Sequence, residues 1–262
     1  MDLTSRTERS RFYFVNLERV ASNNNSFLKI DGGLIKMVNE SRFLGVYIDR
    51  GLSWRVHIDR VKTKISQTVG IIGRARGFMN GPQLSLLYNT MVLPHLQYCL
   101  INWGNFKGDR NIGLRDGLLT LQKSLVRIIT GAHRISHADP LFAGLGMLKI
   151  DDLFTQAVGV YSYKLSTGML PAGMTRYFAK VKHGHNTRGA RSNFFVSRSD
   201  GRSIGNIAPK IWNALSPEIK LSPSIASFKA RSKAALLGPY SAFVCNVRRC
   251  RSCEAAAALP PG

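Results

Sequence analysis

The apolar residues of this chain change period near residue 55. Before that point they suit strands. FLKIDGGLIKMV, residues 27–38, reads as strand, Asp31-Gly32-Gly33 turn, strand, because glycine tolerates the positive φ of a tight hairpin turn. The second strand leads into RFLGVYID, so residues 27–49 are expected to form a small antiparallel sheet. There Phe43, Leu44, Val46, Tyr47 and Ile48 crowd around Gly45, followed by a turn at Asp49, Arg50 and Gly51 and then by Trp54.

From Val56 onward Ile58, Val61, Ile65, Val69 and Ile72 recur every three or four residues, which predicts an amphipathic helix ending near Gly77. Its other face carries Arg55, Arg60, Lys62, Lys64 and Arg74. A second helix is expected from Pro82 to Leu93, with Pro94 interrupting or kinking it. A third runs from about Leu114 to Thr130, with Leu114, Leu118, Leu121, Leu125 and Ile128 as its seam. Arg115, Lys123 and Arg127 lie off that seam, and Gly131 is the stop. A fourth starts near Asp151 and ends at Gly168. Four helices with short connectors predict a bundle.

After Pro171 the composition shifts toward Arg, His, Gly and Ser, with one strand-like run, NFFVSRS, and a turn at Asp200-Gly201. A helix over APKIWNAL, a turn over SPEIKLSPS and an amphipathic helix from Ile225 to Leu237 follow. The expected fold is mainly α with a small β component. Its parts are a poorly ordered lead-in over 1–26, a β-hairpin region over 27–54, a helical bundle over 55–168, a basic C-terminal region with short strands and helices over 169–240, and a Cys/Arg-containing flexible tail over 241–262.

Charge narrows the partner. Among 262 residues there are 37 Lys plus Arg against 15 Asp plus Glu, a net charge of +22. That excess repels itself unless a polyanion neutralises it, and nucleic acid is the commonest such partner; an anionic membrane surface is the other. With 44% hydrophobic residues the chain has enough to build a core, so a disordered class is excluded for most of its length. No run reaches the roughly 18 apolar residues of a membrane span, and the charged N-terminus has no signal-peptide core. Four cysteines are too few for a disulfide scaffold, which places the chain inside the cell, in nucleus or cytoplasm, and not in secretion.

Four stretches occur in an order that resembles the C-terminal part of a non-LTR (LINE-type) retrotransposon reverse transcriptase. They are RFLGVYIDRGLSWRVHI, LYNTMVLPHLQYCLINWG, LQKSLVRIITGAHRISHADPLFAGLGMLKIDDL and APKIWNALSPEIKLSPSIASFK. The resemblance covers roughly residues 27–237. It implies a primer grip at Phe43, Leu44, Gly45, Val46, Ile48 and Asp49, closed by Leu52 and Trp54, and a thumb-like set of helices after it. It also implies that the polymerase aspartates precede this chain, so no catalytic residue is expected in it. The full polymerase would use Mg2+; no cofactor is expected here. The expected partner is RNA, DNA or an RNA–DNA hybrid, with no membrane and with oligomeric state left open. The alternatives are a non-enzymatic RNA- or chromatin-binding protein derived from a transposon, or a non-functional remnant.

Three features imitate functional sites, and ordinary structure competes with each. IDDLF, residues 150–154, imitates paired polymerase aspartates, but it follows the grip and sits at a helix start, where Asp151 or Asp152 serves as a cap or first-turn residue. Cys245, Cys250 and Cys253 lack a local fourth ligand for a closed zinc site. Trp54, Trp103, Trp212, Tyr47 and Tyr98 could stack on bases, but core packing is the commoner use. The loop-like KVKHGHNTRGARS, with Lys180, Lys182, His183, His185, Arg188 and Arg191, is expected to contact phosphates, with a solvated surface loop as the alternative. The full set of expected nucleic-acid contacts is Phe43, Leu44, Gly45, Arg55, Arg60, Lys62, Lys64, Arg74, Lys123, Arg127, Lys182, Arg188 and Arg191.

Overall fold

The computed structural model describes residues 27–30, 33–36, 38–106, 112–175, 193–196 and 203–245, and the chain divides into two compact units, Met1–Val61 and Lys62–Gly262. The fold is mainly α with a small antiparallel β component, as the periodicity predicts.

The first unit holds two hairpins. β1 (Phe27–Ile30) pairs with β2 (Gly33–Lys36), Phe27 opposite Lys36 and Ile30 opposite Gly33. β3 (Glu40–Phe43) pairs with β4 (Val46–Asp49), Glu40 opposite Asp49 and Phe43 opposite Val46. The single sheet expected over 27–49 is therefore two separate two-stranded sheets. The chain reverses at Leu44 and Gly45, whose φ angles are 45° and 83°. Positive φ at both central residues defines the hairpin turn whose twist matches its strands. Asn-Gly is the usual sequence there, which is why Leu-Gly reads as strand interior. A leucine in the left-handed region is strained by its Cβ. Leu44→Asn is therefore expected to raise the stability of the protein by about 1 kcal/mol, read from urea denaturation. A loss of stability would show that the leucine side chain is held by contacts worth more than its strain.

A compact knot joins this hairpin to the next element. One oxygen of the Asp49 carboxylate accepts the N–H groups of Gly51 and Ser53, both at 3.0 Å. The other accepts the Ser53 hydroxyl at 3.2 Å and the Trp54 N–H at 2.8 Å. Leu52 and Trp54 adopt positive φ inside this loop, and the Trp54 carbonyl accepts the Ile58 N–H at 2.9 Å, starting α1 (Arg55–Ala75).

In the second unit α2 (Gly81–Met91) opens with a capping box, since Asn80 and Gln83 each accept the other's backbone N–H at 3.0 Å. The chain then breaks into α3 (Leu93–Gln97), with Pro94 in its first turn, and α4 (Leu100–Trp103). α5 (Ile112–Thr130), α6 (Asp139–Gly144) and α7 (Ile150–Ser166) follow. The last elements are α8 (Ala172–Thr175), α9 (Ile204–Ala214), α10 (Pro217–Lys220) and α11 (Ile225–Ser241). α7 is the organising helix: α3, α4, α5, α9 and α11 all pack on it, and it buries Ile150, Leu153, Phe154, Val158 and Tyr163. Its end falls at the expected glycine. Gly168 has φ 73°, its N–H reaches the Leu165 carbonyl, and the Met169 N–H reaches Lys164 at 2.8 Å.

Four details differ from the sequence reading. The buried face of α5 is Leu114, Leu118, Gln122, Leu125, Val126 and Ile129, while Leu121 and Ile128 are only half-buried. In NFFVSRS the described residues form no strand beyond one bridge at Phe194, whose N–H and C=O both bond the Asn213 side chain, at 3.0 and 2.9 Å. SPEIKLSPS contains the short helix α10. α11 continues through Pro239 to Ser241 instead of stopping at Leu237, because Tyr240 is buried and its hydroxyl is bonded to α7.

Candidate nucleic-acid interface

In the first unit the hairpin turn lifts Phe43 and Leu44 into solvent; they are 63% and 73% exposed. Val46 behind them is buried. A short ribbon with an apolar tip is thus anchored by one strand residue and by the Asp49 knot. The glycine at the turn leaves the backbone bare, so another chain can approach it closely.

α1 supplies the cations. Arg55, Arg60, Lys62, Lys64 and Arg74 stand against Asp59 as the one acid of the helix. Arg55 and Arg60, in the first unit, are exposed, and Arg60 places its guanidinium carbon 4.1 Å from the centre of the Tyr47 ring. In the second unit Lys64 and Arg74 are exposed. Lys62 is half-buried, its stem lying over Gly117 of α5, where a Cβ would stand 2.7 Å from Lys62 Cε. Lys64 is close enough to His95 to add to the effect of burial in holding that imidazole below its ordinary pKa.

The remaining expected contacts divide. Lys123 is half-buried on α5. Arg127 has a structural role, with Nε and Nη2 donating to the Ser136 carbonyl at 2.9 and 2.8 Å and closing the loop after α5. Burial lowers its pKa from the ordinary arginine value. Lys180, Lys182, His183, His185, Arg188 and Arg191 lie outside the described residues, as do Cys250 and Cys253.

The paired aspartates hold helices together. Arg115 Nε donates to both Asp151 oxygens, at 2.9 and 2.7 Å, and its Nη1 meets Asp116 at 3.1 Å. The Tyr240 hydroxyl donates to Asp152 and accepts the Lys149 N–H at 3.2 Å. Burial raises the Asp152 pKa, a shift that the Tyr240 bond opposes. Both aspartates occupy the first turn of α7, where a negative charge meets the positive end of the helix dipole; the N-cap itself is Lys149. Among the described residues no group of three His, Cys, Asp or Glu is placed to hold a metal ion, and no helix is long and apolar enough to cross a membrane.

The aromatics fall on both sides. Trp103 and Trp212 are core residues at 0% and 2% exposure, and Trp103 Nε1 donates to the Tyr98 carbonyl at 2.8 Å. Trp54 and Tyr47 are half-buried, and Tyr98 is exposed. The sequence reading does not single out Arg42, which stands directly opposite Tyr47 once the turn is placed at Leu44-Gly45. That register is its only signal. Comparison with protein-family models, with curated proteins and with solved structures returned no match.

Proposed function

We propose that this chain is the primer-grip and thumb-like portion of a reverse transcriptase of the non-LTR retrotransposon type. On this reading it binds template–primer nucleic acid and does not itself carry out nucleotidyl transfer. The observation that carries the reading is the apolar hairpin tip followed, across the short Asp49-centred loop over residues 50–54, by a helix rich in exposed cations and poor in acids. The order of the four sequence stretches and the net charge of +22 support it.

The division of labour is physical. Nucleotidyl transfer needs carboxylates converging on metal ions. Holding a duplex needs rigid cationic surfaces that meet phosphates without reading bases. Asp151 and Asp152, the carboxylates that most resemble a catalytic pair, are bonded to Arg115 and Tyr240.

The test is a salt titration on a labelled duplex, joined to a primer-extension assay with RNA template and magnesium. The log of affinity should fall with the log of salt by about 0.9 per phosphate contact on B-form DNA. No primer should be extended. Affinity that is flat in salt would remove the binding claim, and extension by the purified chain would overturn the non-catalytic one.

A further inference from the structure

We infer that Arg42 and Arg60, held on the ring of Tyr47, form a phosphodiester-binding site on the side of the β3–β4 hairpin. The inference rests on the nucleic-acid reading above and adds to it a defined set of residues, two of which that reading does not use.

Arg42 and Tyr47 are cross-strand partners, so their side chains leave the same face of the ribbon. Arg60 reaches the same ring from α1. The guanidinium carbons lie 5.8 Å and 4.1 Å from the ring centre for Arg42 and Arg60 respectively. Both distances fall within the range over which a cation is attracted to an aromatic quadrupole. The ring is half-buried while both arginines are exposed, so the base of the site is fixed and its charged ends face solvent.

Two like charges gathered on one ring repel each other. A carboxylate between them would offset that repulsion. Here neither arginine forms an ion pair among the described residues. The nearby acids on the same face are Glu40 and Asp49, two residues along each strand. Glu40 pairs with neither arginine, and the Asp49 carboxylate already accepts four donors of its own loop. An anion arriving from outside relieves the repulsion and is met by two planar forks of N–H donors, a geometry suited to phosphate oxygens. The apolar tip at Phe43 and Leu44 favours a nucleic-acid strand as the carrier of that phosphate, because an unpaired base offers a flat apolar face beside each phosphodiester.

The experiment measures binding of the full chain to a labelled DNA duplex with a single-stranded overhang, for the wild type and four variants. Arg42→Ala with Arg60→Ala is expected to weaken binding by about tenfold or more and to make the salt slope shallower by about 0.9 for each phosphate no longer met. Tyr47→Leu keeps both charges and is expected to weaken binding by about threefold to tenfold, because the forks lose their common support. Arg42→Lys with Arg60→Lys preserves charge and fold and should lie between the wild type and the double alanine variant. Lys229→Ala with Lys233→Ala removes the same charge from exposed positions of α11 and should change affinity by less than about twofold.

Equal losses in the α11 and hairpin variants would overturn the site while leaving general nucleic-acid binding in place. So would unchanged affinity in the double alanine variant, or wild-type competition by phosphatidylserine vesicles or polyglutamate as strong as by unlabelled DNA. A wild-type chain that binds no nucleic acid would overturn the broader reading itself.

Discussion

Phe228→Ala should lower the unfolding free energy by about 3–5 kcal/mol, the cost of removing a fully enclosed aromatic ring and leaving a cavity. Phe228 is 0% exposed at the place where three helices meet. Its ring centre lies 4.8 Å from that of Tyr163 on α7 and 6.3 Å from that of Trp212 on α9. Trp212 in turn packs on Phe194 at 5.8 Å. The ring rests on bare backbone at Gly159, where a Cβ would stand 3.4 Å from Phe228 Cζ. The site has little means of collapsing. Tyr163 is tethered through its hydroxyl to the Ser222 carbonyl at 2.8 Å and cannot swing inward without losing that bond. Since a domain's whole stability is typically about 5–15 kcal/mol, this one change should remove a large share of it. A urea melt would show it as a lower midpoint at unchanged slope. A loss under about 1 kcal/mol would mean that α9 and α11 are held to α7 by other contacts.

Gln122→Leu should cost about 2–4 kcal/mol, although it places an apolar residue of similar size in an apolar surrounding. Gln122 is fully buried on α5 and joins three elements. Its Nε2 donates to the Tyr88 hydroxyl at 3.0 Å and to the Leu148 carbonyl at 3.2 Å, and its Oε1 accepts the Ile150 N–H at 2.9 Å. Ile150 is the first residue of α7, and the N-cap residue Lys149 offers no side-chain cap. Gln122 thus performs from another helix the task that a local serine or aspartate usually performs. Leucine would leave a buried N–H and a buried carbonyl without partners, and each such loss costs about 1–3 kcal/mol. Tyr88→Phe makes the useful contrast. It removes one partner and leaves the cap intact, so it should cost about 1 kcal/mol. Burial already pushes the Tyr88 phenol up to about 12, so its removal changes no charge at neutral pH. Equal costs for the two substitutions would show that the cap is unimportant.

Both effects are invisible in the sequence for the same reason. Gln122 falls on the apolar side of α5, one position from the expected seam residue Leu121, and a lone glutamine among leucines reads as a break in the pattern. Its partners are 34, 26 and 28 residues away. Phe228 belongs to a helix that the periodicity does predict, but nothing local says that its ring meets Tyr163 and Trp212. The end of α11 is a similar case. Pro239 is a good local reason to stop a helix, and the part-buried bonds of Tyr240 to Lys149 and Asp152 outweigh it.

The candidate interface divides along the same line. Arg55, Arg60, Lys64 and Arg74 are legible as exposed cations because a helix of known phase fixes which side chains face outward. Arg127 is off the predicted seam too, yet a carbonyl nine residues along the chain takes up two of its donors. The Arg42–Tyr47–Arg60 cluster needs the turn to be placed at Leu44-Gly45, and Leu-Gly is a poor advertisement for a hairpin turn.

By itself the sequence determined the sites of most helices, their breaks at Pro94 and Gly168, the small β component and the cationic character of α1. Each of these rests on period, on backbone dihedral preference or on charge, which are properties of neighbouring residues. The tertiary structure alone decided that α7 is the packing centre and that Gln122 caps it. It also joined Asp151 and Asp152 to Arg115 and Tyr240, and gathered two arginines on one tyrosine. Those outcomes depend on which distant surfaces meet, and a local pattern does not contain that information.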